Sequence, residues 1–328
     1  MRSEASSDVL KLWLYAVASV LVGAWVSPLV YNAAKALAEV SSAKQTNGPL
    51  EWLAGWCGAT GFPGYFKASL LVSAVVLFVP FIQGLRGGRS GERALRTVVG
   101  GQRLQKNPRG LRQGMTGFLL VAVLFFGIAV TLVFAGMVTW KSPGAAMPML
   151  MVKGLGMALG LAVFQEILFR GIAMGIFLRA MRPAAALGMT AALFAWVHFL
   201  NPPPGLNVVD PDASGVGFEL LWKIAARFAD PAVVLGTFAP LLVLGGVLAY
   251  ARWRTASLSL PIGLHAGWIF ASSLLAEVTI TSGHPDTVQR LLSGASPGQG
   301  LVPLVGILFA GVLSTFLIRA DDAADTRS

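Results

Sequence analysis

The segment Phe164-Gln165-Glu166-Ile167-Leu168-Phe169-Arg170-Gly171 places a carboxylate and a guanidinium inside an apolar run that extends from about residue 147 to residue 178. A charged side chain at the centre of a bilayer costs roughly 2.5–3.5 kcal/mol, so such groups face a protein interior or a wet cavity and are functional candidates. Glu166 precedes Arg170 by four residues, which on a helix puts both on one face in the favourable order for an ion pair. The two charges can therefore partly neutralise each other.

The composition around this segment is typical of a polytopic membrane protein. Hydrophobic residues make up 55% of the chain and charged residues only 12%, and several uncharged runs are long enough to cross a bilayer. Most of the formal charge of +10 lies in one loop, and its basic residues lack interleaved aromatic side chains that stack on bases. We therefore expect no nucleic-acid partner. Because Cys57 is the only cysteine, the chain forms no intrachain disulfide.

The apolar runs predict an all-α polytopic membrane bundle of about eight transmembrane helices. The predicted spans are 12–34, 68–85, 117–140, 147–178, 183–199, 232–251, 257–280 and 301–318. Strand signals are missing, and the Gly-, Pro- and Trp-containing stretch 40–65 is predicted to be a connection. The stretch 218–231 is predicted to be an amphipathic helix on the membrane surface.

The arginine-rich segment 86–114 sets the expected orientation. It carries eight basic residues against the single acid Glu92, and short loops rich in Arg and Lys stay in the cytoplasm. Both termini are therefore expected inside, with the plasma membrane of a bacterial-type cell as the location. We divide the chain into N-terminal helices with the basic loop (1–145), a catalytic helical core (146–280) and a last helix with a charged tail (281–328).

Few ionisable side chains remain inside the spans. They are Glu166, Arg170, His198, His265 and, near a helix end, Glu277. Glu166 and His198 each lie about 16 residues from the turn at Arg182, or roughly 24 Å at the helical rise. His265 is about 11 residues from its own inside turn, nearer 16 Å, a difference that helix tilt can reconcile. Three helices thus bring an acid and two imidazoles towards a common layer.

A carboxylate and two imidazoles in a low-dielectric cavity suit the activation of water. One group takes a proton from water, and a second imidazole donates to the oxyanion of a tetrahedral intermediate. The alternatives are a structural ion pair with interhelical hydrogen bonds, and a zinc ion held by Glu166, His198 and His265. Scattered single ligands are a weak metal signature, so the favoured interpretation requires no cofactor. The chain has no Gly-x-Ser-x-Gly and no His-Glu-x-x-His motif.

Three elements carry a family resemblance: Glu166-x-x-x-Arg170, then Phe194-x-x-x-His198, then His265-Ala-Gly-Trp. In this order, over about 150–275, they resemble the CPBP family, the CAAX prenyl endopeptidases and bacteriocin-processing membrane proteases also called Abi proteins. The resemblance implies an intramembrane endopeptidase acting on a membrane-associated or prenylated protein. It further implies that the glutamate and the first histidine polarise water while the later histidine helps to hold the oxyanion, with Gln165, Arg170 and Phe194 in supporting roles.

Two positions depart from the family pattern. The first motif of the family reads Glu-Glu-x-x-x-Arg, and here its leading position is Gln165, an amide that does not act as a base. The third motif has Asn or Asp four residues after its histidine, where this chain has Ile269. The role of base therefore passes to Glu166, or to His198 oriented by Glu166, or the site is inactive.

Two further hypotheses remain open beside the peptidase. A family member without hydrolytic activity would serve as a membrane scaffold or chaperone. A secondary transporter would also carry intramembrane ionisable groups, but residues 1–145 and 146–328 lack the repeat symmetry that many transporters have.

Overall fold

A computed structural model describes residues 2–44, 48–86, 107–142, 144, 147–202, 206, 208–281, 292 and 300–325. These residues form ten main helices: α1 (Arg2–Ala43), α2 (Pro49–Ala59), α3 (Phe62–Arg86), α4 (Gly110–Phe134), α5 (Met147–Ala180), α6 (Pro183–Phe199), α7 (Val216–Ala226), α8 (Pro231–Thr255), α9 (Ser259–Val278) and α10 (Leu301–Asp325). Two short strands, β1 (Val138–Trp140) and β2 (Thr279–Thr281), pair with each other.

The helices confirm the predicted all-α polytopic bundle. Six of them, α1, α3, α4, α5, α8 and α9, are long and apolar enough to cross a membrane, and α6 and the apolar part of α10 are shorter. Each predicted span coincides with one of these helices. The stretch 218–231, predicted to be an amphipathic helix, overlaps α7. This helix buries Val216, Leu220 and Ile224, which are spaced by four residues.

The structure adds a helix and two strands to the predicted segments. The connection predicted at 40–65 contains α2, which starts with a proline at its first position, where the missing N–H costs no hydrogen bond. The spans 117–140 and 257–280 end early as helices, at Phe134 and Val278, because β1 and β2 pair antiparallel with Val138 opposite Thr281. Most of the basic loop, residues 87–106, lies outside the described residues, as does most of the connection 281–300.

The chain divides into two compact units, one formed by 3–92 with 200–229 and the other by 93–199 with 230–328. In the first unit α1 and α3 form an antiparallel hairpin. Lys11 Nζ donates to the Gly84 carbonyl at 3.0 Å, and Tyr15 Oη donates to the Ala74 carbonyl at 2.9 Å. The three-part division made from the sequence stays a prediction.

In the second unit α4 and α9 lie side by side in nearly direct backbone contact. A Cβ atom on Gly263 would lie 2.0 Å from the Gly114 carbonyl oxygen, and one on Gly267 would lie 2.6 Å from the Phe118 carbonyl oxygen. Small residues four apart allow helices in lipid to approach this closely. Because Gly263 and Gly267 face α4, the side chain of His265 projects from the opposite side of α9, towards α5.

Helix α5 meets α9 along a narrow buried stripe of Ala158, Ala162 and Glu166, spaced by four. Directly after Glu166 the helix widens to π-helical geometry over Ile167–Ala173. Such π-helical turns are frequent at functional sites. Helix α6 packs against α8, and its side chain Phe194 is fully buried.

Candidate active site

The centre of the site is a buried carboxylate shared by an arginine and a histidine. Glu166 Oε1 lies 2.8 Å from Arg170 Nη1 on the same helix and 2.7 Å from His265 Nδ1 on α9. The three side chains are between 0% and 2% exposed. Since a carboxylate oxygen accepts, His265 carries its hydrogen on Nδ1 and directs Nε2 away from Glu166.

The guanidinium of Arg170 is enclosed by three helices. Its Nη2 donates to the Gly245 carbonyl of α8 at 3.2 Å, and its central carbon lies 4.5 Å from the centre of the Phe194 ring. A buried charge is tolerated when it is paired and hydrogen bonded, and the face of an aromatic ring adds attraction for a cation. Arg170 therefore ties α5, α6 and α8 together at the level of Glu166.

The second imidazole, His198, is held by a hydrogen bond within its own helix and not by an ion pair. His198 Nδ1 donates to the Phe194 carbonyl, one turn earlier on α6, at 2.8 Å. Because a carbonyl only accepts, the hydrogen lies on Nδ1, and Nε2 of the neutral ring keeps its lone pair. Gln165 Oε1 is 3.4 Å from this Nε2, and rotation of the amide turns its NH2 group to the lone pair. His198 is half-buried, at the last position but one of α6.

The two imidazoles and the Phe194 ring form a triangle of ring contacts. The imidazole centres are 6.3 Å apart, and the Phe194 ring is 4.0 Å from His198 and 5.4 Å from His265. The structure thus brings Glu166, Arg170 and His265 into one hydrogen-bonded cluster, with the other predicted site residues directly beside it. Glu166 contacts His265 rather than His198, and Gln165 is the neighbour of His198.

Two atoms of this cluster lack a partner. Glu166 Oε2 and Arg170 Nε are buried, and no protein group in the described part of the chain hydrogen bonds to them. A buried carboxylate oxygen without a donor is costly unless water or a bound molecule supplies one. Glu166 Oε2 is therefore a polar atom at which a water molecule would be stabilised.

The zinc alternative stays an untested prediction. Within the described ranges no three His, Cys, Asp or Glu side chains are grouped so as to hold a metal ion. Glu166 Oε1 and His265 Nδ1 are directed at each other, so the carboxylate and this ring nitrogen are not jointly available as ligands. We derive no step of the chemistry through a metal.

One member of the site was missed from the sequence. The Gly245 carbonyl accepts from Arg170, and a Cβ atom on this glycine would lie 3.0 Å from Ala191 Cα and 3.2 Å from Phe194 Cδ1. A backbone carbonyl leaves no signal in the side-chain pattern. The only trace is the Gly245-Gly246 pair inside an apolar helix. Ile269, the second departure from the family pattern, is a half-buried apolar residue one turn after His265.

Comparison with known proteins gives one finding that bears on this site. Residues 147–271 match the family model described as type II CAAX prenyl endopeptidase Rce1-like. No curated protein and no solved structure matches the chain. The matched segment contains α5, α6 and α8 and most of α9, and with them every residue of the cluster. Together with the long apolar helices, it identifies an integral membrane protein of a protease family. The match over residues 147–271 supports membership of the CPBP family, to which the Rce1-like CAAX proteases belong.

Proposed function

We propose that the protein is an intramembrane endopeptidase that uses an activated water to hydrolyse a peptide bond in a membrane-associated or prenylated protein. One observation carries the proposal. Hydrogen bonds fix the hydrogen of both imidazoles on Nδ1, with the rings 6.3 Å apart beside a buried carboxylate. The Nε2 atoms of both rings are thereby left for chemistry, that of His198 as a base and that of His265, when its ring is protonated, as a donor.

His198 is the base in this proposal. Its Nε2 takes a proton from water while the water oxygen forms a bond to the scissile carbonyl carbon, and the carbonyl electrons move to oxygen. Gln165, at 3.4 Å, orients this nitrogen or the water. An amide at this position does not take the proton, so the base is the imidazole beside it.

His265 stabilises the negative oxygen that results. In its protonated form it donates from Nε2 to the oxyanion, while the Glu166 carboxylate at Nδ1 stabilises the positive ring. Arg170 holds that carboxylate in place through its 2.8 Å contact. When the intermediate collapses, the C–N bond breaks, and His198 returns its proton to the leaving amine. The products are a carboxylic acid and an amine, which balances the reaction.

The experiment compares purified variants in lipid nanodiscs on a prenylated peptide and on its unprenylated form. The variants are His198→Ala, His265→Ala and Glu166→Gln. Loss of a general base lowers turnover by roughly 10²–10⁴-fold, so His198→Ala should fall in that range. Ser272→Ala serves as the control, because that hydroxyl donates to the Trp268 carbonyl of its own helix. Equal turnover by all variants would overturn the assignment.

A second candidate function rests on Gln165. If the amide marks a lost base, the protein is a membrane scaffold that binds a partner without cleaving it. In that case wild-type protein cleaves neither peptide, and Gln165→Glu creates activity. Cleavage by wild-type protein that depends on His198 removes this candidate.

The orientation in the membrane belongs to the same proposal, with both termini on the cytoplasmic side of a plasma membrane of bacterial type. Its support is the clustering of arginines at one end of the helices in the second unit, namely Arg109, Arg112, Arg179, Arg182, Arg252 and Arg254. Reporter fusions at each terminus test it. Activity of a periplasm-dependent reporter at either end would contradict it.

A further inference from the structure

Lysines at the two ends of the α1–α3 hairpin indicate where the two faces of the membrane lie. At one end Lys11 Nζ donates to the Gly84 carbonyl at 3.0 Å. At the other, Lys35 Nζ donates to the carbonyls of Gly58 and Thr60 at 2.7 and 2.9 Å. The two lysines are 24 residues apart, about 36 Å along a helix. Residues 12–34 between them carry no charge.

Aromatic clusters lie just inside both lysines. Tyr15 stacks on Phe81 with ring centres 4.6 Å apart near the Lys11 end. Tyr31 meets Phe62 at 5.6 Å near the Lys35 end. Aromatic side chains gather at both membrane interfaces, and lysines at helix ends extend their amino groups to the headgroups.

The pair of lysines and the pair of tyrosines have the same midpoint along α1. The midpoint of Lys11 and Lys35 is residue 23, and so is the midpoint of Tyr15 and Tyr31. Because the two aromatic residues are 16 apart, about 24 Å along the helix, they fit inside a hydrocarbon core of about 30 Å. Residue 23 of α1 therefore lies close to the middle of the bilayer.

Helix α7 begins at this central level. Pro28 has no N–H to donate to the Ala24 carbonyl, which accepts instead from Ser27 Oγ at 2.9 Å. Gly217 in the first turn of α7 packs on the same carbonyl, where a Cβ atom would lie 1.9 Å from the oxygen. Only glycine fits this approach. The contact places the start of α7 at mid-membrane depth, not at the surface that the sequence predicts for 218–231.

The rest of α7 presents two different exposed faces. Phe218 and Trp222, one turn apart, are 41% and 73% exposed. On the adjoining face Glu219 and Lys223 form an ion pair at 2.6 Å, with side chains 54% and 35% exposed. The first face suits lipid, whereas an exposed ion pair at this depth is costly unless water reaches it.

We propose that α7 is a re-entrant helix with Phe218 and Trp222 against acyl chains and the Glu219–Lys223 pair on a water-filled crevice. The chain leading into α7 supports this. Residues 208–215 are not helical, and Asp210 and Asp212 within them are exposed. Irregular backbone at membrane depth occurs only where it is buried in protein or lines water.

The inference rests on the hairpin and α7, and it stands whether or not the protein is a peptidase. The lipid-facing and water-facing sides of α7 are therefore separately testable.

Depth is measured with a nitroxide label in proteoliposomes. Cys57 is the only cysteine and is buried, so Cys57→Ser gives a background for single cysteines. Trp222→Cys is compared with Trp25→Cys, next to Ala24 and 59% exposed, and with Val40→Cys, 50% exposed and beyond Lys35. Power saturation with oxygen and a water-soluble nickel complex should give position 222 a depth within about 8 Å of that of position 25, because it lies five residues along α7 from Gly217. A label at the depth of position 40 would overturn the proposal.

Hydration is measured with Lys223→Cys and a water-soluble ethylammonium thiol reagent, whose adduct restores the positive charge beside Glu219. Because the reacting species is the thiolate, position 223 should react at least about tenfold faster than Trp25→Cys. Equal rates at the two positions would show that no crevice reaches α7. If Lys223→Cys does not fold, nickel accessibility at Glu219→Cys gives the same decision, with thermal unfolding of each variant as the folding control.

Discussion

The two histidines of the site are held in opposite ways. His265 is 2% exposed, lies inside α9, and donates to a carboxylate 99 residues earlier in the chain, on α5. His198 is half-buried at the end of α6 and donates to the carbonyl of Phe194, only four residues away. One imidazole depends on how three helices pack, and the other on its own helix.

The two imidazoles should therefore respond to different substitutions. Changes at Glu166, Arg170 or the α4–α9 contact should act on His265, because each supports its hydrogen bond from a distance. His198 should respond to Phe194 and Gln165 alone. Substitutions should therefore distinguish the support of His265 from that of His198, with the largest loss of stability at Arg170.

Arg170→Ala should cause the largest loss of stability. Removing one member of a buried ion pair leaves the other uncompensated and typically costs about 3–5 kcal/mol. Here the Glu166 carboxylate loses its arginine partner, and the Gly245 carbonyl loses its hydrogen-bond donor. Unfolding in detergent micelles by denaturant gives the free energy.

The matched control for Arg170→Ala is the double variant Glu166→Gln with Arg170→Gln, which removes both charges and keeps similar volume. It should be more stable than Arg170→Ala, since no buried charge is left alone. Wild-type stability in Arg170→Ala would show that the pair is solvated. The contrast between the histidines would then lose its basis.

Gly263→Ala should be next in size. A Cβ atom there would lie 2.0 Å from the Gly114 carbonyl oxygen, so α9 has to move, and overpacking of this kind costs about 1–3 kcal/mol. The movement displaces His265 relative to Glu166 and disturbs their hydrogen bond. Gly246→Ala is the control, because nothing lies within 4 Å of its Cβ position. A shift in thermal unfolding of Gly246→Ala as large as that of Gly263→Ala would contradict the prediction.

The members of the site were visible in the sequence because charge and imidazole stand out in apolar helices. Their pairing was not visible. Counting residues from the turns put Glu166 level with His198, yet its carboxylate contacts His265. Such a count assumes that every helix starts at one level, whereas the start of α9 is fixed by its glycine contact with α4. The carbonyls of Phe194 and Gly245 leave no side-chain signal at all.

The fold shows the same limits. Long apolar runs predict the membrane helices well, since length and composition decide them. The strands β1 and β2 have three residues each, too few for a periodic pattern, and they form because each has the other as a partner across the structure. Helix α2 lies in a stretch predicted only as a connection, because its proline and two glycines are typical of one.

Phe194→Leu should have an intermediate effect that reaches both rings. The backbone carbonyl stays, so His198 keeps its 2.8 Å hydrogen bond, but the aromatic ring that contacts both imidazoles is lost. Loss of aromatic contacts costs about 0.5–1.5 kcal/mol beyond the apolar area. Phe199→Leu, a buried ring on the same helix that meets Phe238 at 5.8 Å, is the control. Turnover should fall in Phe194→Leu and persist in Phe199→Leu. Equal turnover would remove Phe194 from the site.

Gln165→Ala should have the smallest effect on stability and a separate one on activity. Gln165 is half-buried and its contact with His198 is long, 3.4 Å, so the free energy of unfolding should change by less than about 0.5 kcal/mol. If the amide orients the base, kcat should fall about tenfold, equivalent to about 1.4 kcal/mol of barrier, with KM unchanged. Gln165→Asn, which keeps the amide on a shorter chain, should fall between. An unchanged kcat in Gln165→Ala would show that α6 alone orients the His198 ring, through the Phe194 carbonyl, and that α5 contributes nothing to its orientation.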